Sequence, residues 1–97
     1  MSRTQPARFG EAWDDERIAG WMNIPVPTDE DPDFFRLWRA YQSMRAYDFE
    51  RFVQIFLERG GRMDARNKQG ETLYTILRRH PMATDFLHVL EDAGCPL

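Results

Sequence analysis

His80, His88 and Cys95 are the only histidine and cysteine donors in this 97-residue chain. Zinc needs about four such ligands, or carboxylates, converging on one point. Spacings of eight and seven residues would set these three about two helical turns apart each, too far to share one ion, and Pro81 interrupts any helix joining the two histidines. Asp29, Asp31 and Asp33 imitate the opening of a calcium loop. That loop requires glycine at its sixth position and glutamate at its twelfth, where Phe34 and Ala40 stand. No glycine-rich phosphate loop occurs, because Gly60-Gly61 follows a helical pattern and does not open one. Ser2 and Ser43 are the only serines, and neither has a base at local spacing. Asp14-Asp15 and Glu91-Asp92 read as ordinary surface charge. No catalytic residue, metal or cofactor is assigned, and the chain is read as a non-enzyme.

Binding chemistry is better represented. Arg62, Arg66, Lys68, Arg78 and Arg79 could line one side of the C-terminal half and meet nucleic acid. The chain is nonetheless net acidic, with charge −3 and pI about 5.3, so solvated arginines are the favoured reading. The aromatics Phe34, Phe35, Trp38, Tyr41, Phe49, Phe52 and Phe56 recur at core spacing and are assigned to the core. Trp13, Trp21 and Tyr74 are the candidates for exposed aromatics in a protein interface.

Positioning these groups falls to one small domain. Hydrophobic residues make up 42% of the chain, enough for a core. No apolar run approaches the roughly 20 residues that span a bilayer, and residues 1–9 lack a signal-peptide apolar region. A single cysteine excludes an internal disulfide, and a cytoplasmic home is expected. Twelve of the thirteen basic residues are arginine, which hints at a bacterial source. Charge divides unevenly. Residues 1–34 hold three basic and eight acidic groups (−5), and residues 35–97 hold ten and eight (+2), giving −3 together. The acidic arm either folds back on the basic body or stays solvated, and solvation is expected.

Residues 1–33 read as a flexible arm, a short helix over Glu11 to Met22 and an acidic, proline-rich linker, Asn23 to Asp33. The helix places Trp13, Ile18 and Trp21 on one stripe. Residues 34–97 read as four helices. Asp33 caps the first, which carries apolar residues at 34, 37, 38, 41 and 44 and runs to about Ala46. Tyr47-Asp48 breaks the chain, Asp48 caps the next helix, and Gly60-Gly61 stops it. Thr72 caps a helix that ends before His80-Pro81. The last begins at Met82 or Thr84 and ends at Gly94. No segment alternates like a strand, so the fold is expected to be all-α.

A shift of 33 residues superposes Tyr41 on Tyr74, Arg45 on Arg78, Val53 on Phe86, Phe56 on Val89, Leu57 on Leu90, Glu58 on Glu91 and Gly61 on Gly94. Phe56-Leu57-Glu58-Arg59-Gly60, then Met63-Asp64-Ala65-Arg66-Asn67, then Lys68-Gln69-Gly70-Glu71-Thr72 resemble, in order, the second-helix end, the finger and the next-repeat start of an ankyrin repeat. Leu73-Tyr74-Thr75 stands in place of the family's Pro-Leu-His, and Leu77-Arg78 in place of its paired alanines. The resemblance implies two degenerate ankyrin-like antiparallel helical hairpins over 34–97. The tryptophan-bearing N-terminal helix would be their cap; failing that, a second protomer or a partner would cover the exposed end. It also implies a protein–protein interaction module, with a small bacterial regulator, inhibitor or immunity-type protein as a special case. Binding would run through the finger and first-helix surface: Asp64, Arg66, Asn67, Lys68, Tyr74 and Arg78. Trp13 and Trp21 join them as aromatic candidates. The partner is expected to be another protein, with a nucleic-acid-associated regulator using the arginine cluster as the alternative.

Overall fold

A computed structural model describes residues 13–94 of the chain. The flexible arm over residues 1–9, the first two residues of the expected N-terminal helix, and Cys95 lie outside the described residues. Within them the fold is all-α, with no strand and one isolated bridge, between Arg66 and Thr72. No helix is long and apolar enough to cross a membrane among the described residues.

The N-terminal helix is shorter than its periodicity suggests. Asp14 caps α1, Asp15–Ala19, by accepting the N–H of Arg17, and a 3-10 turn over Gly20–Asn23 follows. Trp13 therefore precedes the helix. Its ring still stacks on Trp21 at 6.2 Å, under the Arg17 guanidinium at 3.6 Å. Ile18 is fully buried, and α1 packs on α3.

Helix α2 spans Pro32–Ser43. Its cap is Asp31, not Asp33: Asp31 Oδ1 accepts the N–H of Asp33 at 2.9 Å and of Phe34 at 3.1 Å. Pro32 at the first helical position favours this start, since its fixed φ suits a helix and its missing N–H would have no partner there. Phe34, Leu37 and Ala40 form the buried stripe. The next break falls at Met44-Arg45, not Tyr47-Asp48, and α3 runs over Ala46–Glu58. Asp48 is therefore inside the first turn of α3 and buried, not its cap. Its Oδ1 accepts the Trp13 N–H at 3.3 Å and the Arg51 Nη1–H at 3.3 Å. An acidic group in a first helical turn is stabilised by the helix dipole, and here it also binds the incoming N-terminal strand of chain.

Phe49, Phe52, Val53 and Phe56 are the buried face of α3. Burying a side chain of this size stabilises by roughly 1.5–3 kcal/mol. The helix ends in a Schellman turn, with the Gly60 N–H on the Leu57 carbonyl and the Gly61 N–H on the Phe56 carbonyl. Gly60 takes φ +84°, and Gly94 ends the last helix with the same angle and the equivalent bond to Glu91. These two stops are 34 positions apart, so the glycine matching Gly94 is Gly60 and not Gly61. Helix α4 is Leu73–Leu77, capped by Thr72. A 3-10 turn over Pro81–Ala83 leads into α5, Thr84–Asp92. Helix α3 packs on α5, α2 on α3 and α4, and α4 on α5. Rings join these layers: Tyr41 meets Phe86 edge-on at 4.9 Å, and Phe86 lies 5.4 Å from Phe49.

Candidate functional site

The polar segment between α3 and α4 folds into a tight finger. Asn67 organises it. Its Oδ1 accepts the N–H of Gln69 and of Glu71, both at 2.9 Å. Its own N–H donates to the Glu71 carbonyl, and its carbonyl accepts from Gly70. Gly70 at φ +78° makes the return turn possible, because only glycine enters that region without a Cβ clash. Arg66 Nη1 donates to the Gly70 carbonyl at 2.6 Å and braces the finger across its width.

The acidic linker does not stay solvated; it folds back on this finger. Lys68 Nζ donates to Asp29 Oδ2 at 2.5 Å and lies 3.7 Å from Glu30 Oε2. Asp33 Oδ2 accepts the Arg62 N–H at 3.0 Å. The hydrogen bond from Lys68 and its positive charge hold the Asp29 carboxyl below its usual range, and the same contact raises Lys68. A second acid–base tie joins Arg51 to Asp15, and the hydrogen bond that Arg51 donates to Asp15 raises the Arg51 pKa. The physical cause is the charge asymmetry visible in the two halves of the chain: unlike charges on neighbouring segments attract when the chain brings them within a few ångströms.

Between linker, finger and helices opens a groove of about 350 Å³. Its floor comes from Phe34, Phe35 and Trp38 of α2 and Ile76 of α4. Asn67, Lys68 and Gln69 of the finger form one wall, and Glu30 closes the other. Phe34 and Ile76 are buried, while Phe35 and Trp38 are only half-buried and offer apolar surface to the groove. Phe34 and Trp38 stack with ring centroids 6.3 Å apart and planes 13° from parallel. A smaller cleft of about 170 Å³ lies between α3 and α5, edged by Glu50, Leu57 and Asp92.

Of the residues singled out in the sequence, the structure brings Asn67 and Lys68 to the groove. Asp64 is exposed and pairs with Arg62 Nε at 3.5 Å. Tyr74 is not an exposed aromatic: it is 3% exposed, and its hydroxyl donates to Glu91 Oε2 at 3.0 Å. Its position on α4, which packs on α5, buries the ring, and the exposed Arg78 guanidinium lies 5.9 Å from it. Trp13 and Trp21 are half-buried against the core beside α3 and do not line the groove. Phe35 and Trp38, which periodicity assigned to the core, line the groove. Both sit beside the buried stripe of α2, and only the distant finger shows that this edge faces a groove.

The basic residues do not form one bare patch. Arg62 pairs with Asp64, Arg66 with a carbonyl, Lys68 with Asp29 and Arg79 with Glu71 at 2.7 Å. The hydrogen bond from Arg79 lowers the Glu71 pKa. Among the described residues no group of three or more His, Cys, Asp or Glu side chains is placed to hold a metal ion. No protein-family model, no curated protein and no solved structure matches this chain.

Proposed function

We propose that this chain is a non-catalytic protein–protein interaction module, and that its binding site is the aromatic groove between α2 and the finger. The observation that carries this reading is the pair of half-buried rings, Phe35 and Trp38, on the floor of an open groove. Aromatic side chains in a partly desolvated pocket supply a large share of interface energy, and polar groups around them fix orientation. The finger provides the polar groups here, at positions already held by the Asn67 bonds. Little ordering cost remains when a partner arrives.

The reading extends to architecture. Residues 34–97 are taken as two degenerate ankyrin-like hairpins, α2 with α3 and α4 with α5, and α1 as the cap on α3. Three local features support it: the Schellman stop at Gly60, the Asn67-centred finger turn, and the Thr72 cap that opens α4. The buried Ile18 supports the cap.

Affinity capture on the immobilised full chain tests the function. The wild type should retain a specific protein through moderate salt, and Phe35→Ser should release it while remaining folded. Retention of nucleic acid alone, eluting steeply with salt, would overturn the proposal in favour of the arginine-cluster alternative.

A further inference from the structure

We infer that the groove receives a cationic side chain, an arginine or lysine of the partner, with Glu30 as its acceptor and the Phe35 and Trp38 rings as its floor. Lys68 is the internal cation with which that side chain competes. This inference rests on the groove being the partner site.

The acids of the linker are not equivalent. Asp31 is committed to capping α2. Asp33 is committed to the Arg62 N–H and lies 3.4 Å from Arg36 Nη1. That leaves Asp29 and Glu30, with Lys68 as their nearby cation. Lys68 sits on Asp29 at 2.5 Å. At 3.7 Å, its ammonium is beyond hydrogen-bond distance of the Glu30 carboxylate oxygen. Two carboxylates and one ammonium leave the rim one negative charge in excess, and Glu30 lines the groove.

The floor adds to this preference. Aromatic faces carry negative electrostatic potential and attract cations, and an aliphatic stem packs on the same rings while its charged head reaches a carboxylate. An arginine or lysine meets both requirements at once. A carboxylate from the partner would approach Asp29 and Glu30 against repulsion, and a neutral apolar residue would leave Glu30 half-paired at the edge of a covered groove. The chain itself shows the chemistry: its single lysine already occupies the cation position beside these acids.

Three acetylated, amidated peptides that differ at one position test the inference. Arginine, glutamine or glutamate is flanked on each side by one leucine within a Gly-Ser frame. They are titrated into the full chain while the indole N–H resonance of Trp38 is followed, identified by its loss in Trp38→Phe. The arginine peptide should bind tightest. Glu30→Gln should weaken it roughly two- to fivefold, the scale of a partly exposed ion pair. Lys68→Met should tighten it by a similar factor, with thermal midpoints checked for both variants. Equal binding of the arginine and glutamine peptides, unchanged in both variants, would overturn the cation assignment while leaving the groove as a protein site. Preference for the glutamate peptide, lost in Lys68→Met, would overturn it in favour of an acidic ligand. If no peptide moves the Trp38 resonance, the inference fails, and capture with Phe35→Ser decides the groove reading separately.

Discussion

Lys68 Nζ lies 2.5 Å from Asp29 Oδ2, a contact between side chains 39 positions apart that fastens the acidic linker to the tip of the finger. Lys68 is the only lysine of the chain, so its ammonium can be followed by NMR without ambiguity. Its pKa should lie above the ordinary lysine value and fall toward that value in Asp29→Asn. An unchanged titration in that variant would remove the contact from solution.

The same pair gives a pH dependence whose sign follows from the two shifts. Asp29 is lowered on folding, so its stabilising effect is present above its unfolded pKa and is lost as pH falls through the folded one. Lys68 is raised, so its effect is complete below its unfolded pKa and is lost as pH rises through the folded one. The linker should therefore stay docked across the neutral range and loosen at both extremes. Amide hydrogen exchange over residues 24–30, compared at neutral and acidic pH after correction for intrinsic rates, should show protection lost on acidification. Equal protection would contradict the tie.

Asp48 joins the start of the described chain to α3 by accepting the Trp13 N–H while fully enclosed. Asp48→Ala leaves that N–H and the Arg51 guanidinium short of an acceptor, at a cost of about 1–3 kcal/mol. Asp48→Asn keeps an oxygen acceptor and should cost less. Urea unfolding of the two variants checks the order, and equal stability of Asp48→Ala and the wild type would refute the role.

Gly60 and Gly61 should respond to alanine for different reasons. Gly60 holds φ +84° with open space around it, so Gly60→Ala costs about 1 kcal/mol of backbone strain. A Cβ at Gly61 would stand 2.6 Å from carbons of the Phe56 ring, which is fully buried and cannot swing aside. Gly61→Ala should therefore cost about 1–3 kcal/mol as overpacking. Chemical denaturation of the pair settles whether the second cost is the larger.

Much of the helical framework was legible because its signals are local. The 3.6-residue stripes of α2, α3 and α5, the glycine stops and the Thr72 cap depend on residues within a turn or two of each other. The break at Met44-Arg45 carries neither a glycine or proline nor a cap-type residue, so the aspartate at 48 drew the expected break to Tyr47-Asp48. Asp48 has the residue type of a cap, and only the arrival of Trp13 from 35 positions away explains why a carboxylate is buried there. Pro32 suits the first helical position and so carries a local signal for Asp31 as the cap, but as one of three prolines over residues 23–33 it reads equally as linker. The groove was illegible for the same reason as the linker tie. Its two sides, residues 30–38 and 67–76, are joined by tertiary packing and not by any spacing along the chain.

The central claim is that Phe35 and Trp38 form the floor of a protein-binding groove. Its most direct test compares capture of protein partners by the wild type, by Phe35→Ser and by Trp21→Ser, all confirmed as folded. Phe35→Ser should lose the specific partner and Trp21→Ser should retain it. Retention by Phe35→Ser together with loss in Trp21→Ser would contradict it and move the site to the α1 side of the molecule.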